Sequence, residues 1–154
     1  MTFFCANCDE LDNSWKDKIK DSREKSCGCI ILKDNRVLLI GAKDDNGELF
    51  WSFPKGHREN DETDIETAIR ETKEETNLDV KIIDSKPIKT GYLIHGGIAY
   101  KEILLFIAKP LNDEIELQED EIEKIRWVNI NEASKYFDGY YSDAWKEFLN
   151  RARN

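Results

Sequence analysis

Residues 56–78 read GHRENDETDIETAIRETKEETNL. Thr63, followed three residues later by Glu66, forms a capping box in which each side chain satisfies an orphan N–H at a helix start. From there Ile65, Ala68, Ile69, Thr72 and Thr76 recur at steps of three and four. At about 100° per residue they make one narrow, mostly apolar stripe that faces a sheet. On the same wheel Glu75 lies roughly 80° from the centre of the stripe, Glu71 about 120° from it, and Glu74 opposite. Carboxylates this close destabilise a helix by roughly 0.2–0.5 kcal/mol per pair. A solvated face is the ordinary explanation of an ExxEE run. The other is that positive charge sits against it, and a hard cation such as Mg²⁺ takes carboxylate oxygens while sharing phosphate oxygens with a substrate.

The residues just upstream favour the second explanation. In FWSFPKGH (residues 50–57) Pro54 forbids a helix interior and Gly56 allows a tight backbone path. Lys55 places a positive charge one short loop before the acids, where an anionic ligand would use it. His57 is either a ligand contact or a turn residue, and spacing alone leaves both open.

The chain has 154 residues, 40% of them hydrophobic and 36% charged, with a formal net charge of −9. One globular domain with a proper core is the simplest organisation at this length. The acidity argues against duplex nucleic acid or an anionic membrane as partner, while bound cations could still bridge the protein to a nucleotide. No apolar run approaches the ~20 residues of a membrane span, and the N-terminus does not read as a signal peptide. The expectation is a cytoplasmic protein, a monomer or weak dimer, that acts on a small-molecule nucleotide. Cys5 and Cys8 form a C-x-x-C, but Cys27 and Cys29 in SCGCIIL have one residue between them. Zinc sites usually space such pairs more widely, so zinc at Cys5 and Cys8 is the lesser reading, and Cys27 and Cys29 read as buried strand residues.

Residues 1–25 are weakly patterned, with a short helix expected around SWKDKIKDSREK, and look appended to a domain over residues 26–154. CIILK and RVLLIGAK, separated by Asp34-Asn35, read as a hairpin, and LFWSF as a short strand ending at Pro54. VKIIDSKPIKTGYLI and IAYKEILLFIAKP read as two long strands joined around HGG, and KIRWVNI as a further strand. Helices are expected near NEASKYF and SDAWKEFLNRA. The order predicts an α/β (α+β) protein with a mixed sheet covered by helices on its faces.

Residues 56–78 resemble the Nudix box, G-x5-E-x7-R-E-U-x-E-E-x-G-U with U a bulky aliphatic. Gly56, Glu62, Arg70, Glu71, Glu74, Glu75 and Leu78 fill seven of its nine specified positions. Thr72 replaces one aliphatic and Asn77 the final glycine, where Asn is the next best residue for a left-handed helix end. The resemblance implies a Nudix-type α/β/α sandwich, with a mixed β-sheet and the box as a loop–helix–loop. It implies hydrolysis of a nucleoside diphosphate linked to another group, with Glu71, Glu74 and Glu75 binding Mg²⁺ or Mn²⁺ and the Gly56 carbonyl assisting. Glu62 and Arg70 would be structural, the arginine orienting the carboxylates. A further acid would come from EDEIEKIRWV, where Glu121 has the best spacing to Trp127 among Glu119, Asp120, Glu121 and Glu123.

Within that family, PKGH and ETAIRETKEE are most similar to the diadenosine tetraphosphate (Ap4A) hydrolases, which cleave Ap4A asymmetrically to AMP and ATP. That likeness implies Lys55 and Lys101 as phosphate contacts and Tyr92 and Tyr140 as adenine-stacking residues, with Glu71 or Glu121 accepting the proton of the attacking water. Two other activities remain open on the sequence: a pyrophosphohydrolase acting on the 5′ end of RNA or on another nucleotide, and a domain that binds a nucleotide without turnover.

Overall fold

The computed structural model describes residues 24–44, 46–94, 99–116, 122–137 and 141–153. Its strands are β1 (Glu24–Lys33), β2 (Arg36–Lys43), β3 (Leu49–Ser52), β4 (Lys55–His57), β5 (Val80–Ile82), β6 (Ile88–Ile94), β7 (Ala99–Pro110) and β8 (Lys124–Asn129). The other elements among the described residues are two helices, α1 (Asp64–Thr76) and α2 (Ser142–Arg153), and a 3-10 turn at Ala133–Tyr136. The expected helix near NEASKYF is only that single turn.

The sheet is mixed because β1 runs parallel to β7 while every other described pairing is antiparallel. The β1–β2 connection is the expected tight hairpin: Asp34 and Asn35 both have positive φ, 50° and 64°, and Lys33 lies opposite Arg36. Such backbone suits the twist of a two-residue hairpin, and Asn and Asp tolerate it better than most residues.

Strand alternation explains the layers. On β7, Ile103, Leu105 and Ile107 enter one core with Ile30, Val37, Leu39 and the α2 residues Ala144, Trp145 and Phe148. Leu104, Phe106 and Ala108 enter the other, with Cys27, Cys29, Ile31, Leu38 and Ala68 of α1. Both faces of the sheet are therefore covered, α1 on one and α2 on the other. Cys27 and Cys29 are buried free thiols, as their strand context predicts, and burial pushes them up to about 12 and about 11. Cys5 and Cys8 lie outside the described residues.

One expected strand is two. VKIIDSKPIKTGYLI divides into β5 and β6, both paired with β7. The break has a local cause: Asp84 Oδ1 accepts from the Lys86 N–H at 3.0 Å, making a turn, and Pro87 has no N–H for the ladder. Arg151 of α2 donates to the Lys86 and Pro87 carbonyls, which ties the last helix to this turn.

Candidate active site

Helix α1 begins and ends as its sequence dictates. Thr63 Oγ1 accepts from the Glu66 N–H, and Glu66 Oε1 accepts from the Thr63 N–H, which completes the capping box. At the other end Asn77 is left-handed with φ 66°, and its N–H donates to the Lys73 carbonyl. Asn77 Nδ2 also donates to the Glu114 carbonyl at 2.8 Å, a contact that glycine could not make. The buried stripe is wider than the periodicity predicts. It includes Thr67, whose hydroxyl donates to Glu62 Oε1 and to the Thr63 carbonyl, and it includes Glu75.

A carboxylate only 8% exposed requires partners. The Lys55 N–H donates to Glu75 Oε1 at 2.8 Å, joining the helix to the short strand β4. The backbone leading into β4 is brought close by a glycine that the sequence reading passed over. A Cβ at Gly28 would sit 2.0 Å from the Pro54 carbonyl oxygen and 2.5 Å from Lys55 Cβ. The bare Cα lets Pro54 approach, and its carbonyl accepts from the Cys29 N–H at 3.1 Å. Gly56 serves Glu71 in the same way, since a Cβ there would lie 2.1 Å from Glu71 Cδ.

Arg70 organises the remaining acids. Its Nε donates to Glu62 Oε2 at 2.7 Å and its Nη2 to Glu62 Oε1 at 3.0 Å, a two-pronged pair. Nη2 also donates to the His57 carbonyl, while Nη1 reaches Glu71 Oε1 at 2.8 Å and both Glu74 oxygens at 3.2 Å. This pairing holds Glu62 down at about 2, whereas burial raises the Glu71 carboxyl above the usual range. The charge that permits crowding on this helix is therefore, in the first place, a guanidinium. Among the described residues no three His, Cys, Asp or Glu side chains converge on a single ion-sized point.

Glu71, Glu74 and Glu75 nevertheless line one cavity of about 450 Å³, together with Ser26, Lys55, Gly56, His57, Glu59 and Lys101. Lys55 is lowered to about 8 by burial and by Lys101, against the opposing pull of Glu75. His57 is exposed at the rim, its Nε2 3.7 Å from Glu24 Oε2. Tyr92 stands beside Lys101 in the β6–β7 register, but it packs half-buried against the α2-side core and is not part of the cavity lining. Glu121 and Tyr140 lie outside the described residues. Ser26, Gly28 and Glu59 carried no signal in the sequence: no motif marks them, and only the register brings the two on β1 to the loop.

Comparison with known proteins shows the family. The chain is 33% identical over 124 residues to the mouse bis(5′-nucleosyl)-tetraphosphatase [asymmetrical], a match covering 71% of this chain and 81% of the mouse protein. It is 31% identical over 123 residues to the MutT4 protein of Mycobacterium tuberculosis, covering 75% of this chain but only 50% of that longer protein. A crystal structure of a C. elegans Ap4A hydrolase binary complex superposes with a TM-score of 0.72 at 27% identity, covering 84% of this chain and 98% of that one. The NUDIX domain model matches residues 22–146, and the chain belongs to the Nudix hydrolases, enzymes of phosphoanhydride bonds.

Proposed function

We propose that the chain is a divalent-metal-dependent hydrolase of dinucleoside polyphosphates, which cleaves Ap4A asymmetrically to AMP and ATP. The observation that carries this reading is the meeting of two charge sets in one cavity, Lys55 and Lys101 with Glu71, Glu74 and Glu75. Two lysines close enough to repel each other suit a polyanionic chain, and adjacent carboxylates suit the cation that accompanies it. The likeness to the C. elegans and mouse proteins supports Ap4A as that polyphosphate.

The donor set fits Mg²⁺ or Mn²⁺. Glu71, Glu74, Glu75 and the Gly56 carbonyl are hard oxygen ligands, and Gly56 leaves the Glu71 carboxylate room that any side chain would fill. When bound, such an ion lowers the pKa of water and neutralises charge on phosphoryl oxygens. The water oxygen bonds to phosphorus as the bond to the departing phosphate oxygen breaks. Glu71 or Glu121 would take the water's proton. Lys55 and Lys101 balance charge on the departing phosphates.

The test is a panel of Ap4A, nucleoside triphosphates, and triphosphorylated and capped RNA with Mg²⁺ or Mn²⁺, the products being resolved by chromatography. Equal amounts of AMP and ATP from Ap4A are expected. Preferential release of pyrophosphate from RNA would assign the chain to 5′-RNA pyrophosphohydrolysis, and binding without turnover to a regulatory role.

A further inference from the structure

Ser26 is the one residue of β1 that lines the carboxylate cavity, and it is 1% exposed. Strand alternation assigns it a core position. Its parallel neighbour is Ile103 and the next-but-one residue on the same face of β1 is Ile30, both fully buried and apolar. A hydroxyl at such a site needs a partner, because an unpaired buried one costs on the order of 1–3 kcal/mol. Its side chain makes no hydrogen bond to any described residue, and its Oγ is not among the fully enclosed unpaired oxygens, so the hydroxyl reaches the polar cavity that the residue borders.

The neighbours fix the chemistry it faces. Cross-strand partners share a face of a sheet, so Ser26 lies beside His57, and Gly28, next on that face, lies beside Lys55. With no side chain at Gly28, the Lys55 stem starts directly against β1. Lys101 comes from the other flank, opposite Glu24 and one step along the same face from Ile103. We infer that Ser26 is a substrate-binding residue whose hydroxyl donates to a non-bridging phosphate oxygen held between Lys55 and Lys101, on the section of polyphosphate away from the carboxylates. A phosphate oxygen is the acceptor that this setting favours, since the two lysines lining the same cavity attract an anion more strongly than a neutral carbonyl. The assignment deepens the proposed polyphosphate reading and rests on it.

The test is calorimetric titration of inorganic tripolyphosphate, with excess Mg²⁺, into the wild-type chain and Ser26→Ala, alongside thermal unfolding of both and steady-state kinetics on Ap4A. Ser26→Ala should bind tripolyphosphate about tenfold more weakly, about 1.4 kcal/mol, with an unfolding midpoint no lower than wild type. On Ap4A its KM should rise by a similar factor with kcat nearly unchanged. Equal tripolyphosphate affinities, no binding by the wild type, or a lowered unfolding midpoint that accounts for the loss would each overturn the assignment. A Ser26-dependent affinity in a chain that leaves Ap4A intact would overturn the Ap4A reading and keep the phosphate contact.

Discussion

The Lys55 N–H and Glu75 Oε1, 2.8 Å apart, couple the short strand that carries a cation to the helix that carries the acids. Glu75 thus has two duties, one structural through this bond and one electrostatic through its charge. Glu75→Gln separates them, because the amide oxygen still accepts from Lys55. Activity with Mg²⁺ should fall about 100-fold or more, while the unfolding midpoint stays close to wild type. Full retained activity would remove Glu75 from the metal-binding set.

Glu62 answers to Arg70 in a way that pH reveals. Its carboxyl lies at about 2 in the folded chain against 4.5 ordinarily, chiefly through the Arg70 hydrogen bonds. A depressed folded value means that the stabilisation is complete above pH 4.5 and is lost as pH falls towards 2. Glu62→Gln should therefore be less stable than wild type at neutral pH, and the difference should close over that window. Denaturant unfolding at a series of pH values measures it, and a difference independent of pH would show that the charge is not what Arg70 holds.

How much of this was legible in the chain depended on whether the cause was local. The capping box, the Asp34-Asn35 hairpin and the left-handed Asn77 follow from residues within one or two turns, and the structure reproduces each. The unbroken apolar run ILLFIA suits a strand buried on both faces, which is what the fold shows. The α1 stripe was narrower on the helical wheel than in the fold, because Glu75 is buried through a partner 20 residues away. Arg70 as the counter-charge was visible only in the box resemblance, since its bonds to Glu62, Glu71, Glu74 and the His57 carbonyl span a loop whose path no periodicity describes. The division into β5 and β6 was written in Asp84 and Pro87, whose turn chemistry outweighs the apolar residues on either side.

Thr72 offers a gain in stability. It is fully buried on the α1 stripe, and its Oγ1 has no hydrogen-bond partner of normal geometry among the described residues. The Cys29 thiol is close enough to interact with it, and thiols are weak partners. Thr72→Val keeps the branched shape and removes the stranded hydroxyl, so it should stabilise the chain by about 1 kcal/mol. Chemical denaturation gives the value directly, and activity should be unaltered because the residue faces away from the cavity.

Lys55 should show the opposite balance between stability and function. Burial and the nearby Lys101 lower it to about 8 from 10.5. A lysine lowered in the folded state is a liability below pH 8, where both states hold the proton and only the folded one bears the cost. The cost is relieved as pH rises from about 8 to 10.5, because the folded chain releases its proton first. Lys55→Met should therefore be more stable than wild type at pH 7, by about 2–3 kcal/mol, and the two should converge above pH 10.5. Tripolyphosphate affinity should move the other way, falling on substitution at pH 7. In the wild type it should fall as pH climbs past 8, by less than the free-state value suggests because a bound anion raises the lysine again. A Lys55→Met chain that is no more stable at pH 7 and binds tripolyphosphate as well as wild type would show that this lysine faces bulk solvent and does not serve the phosphate chain.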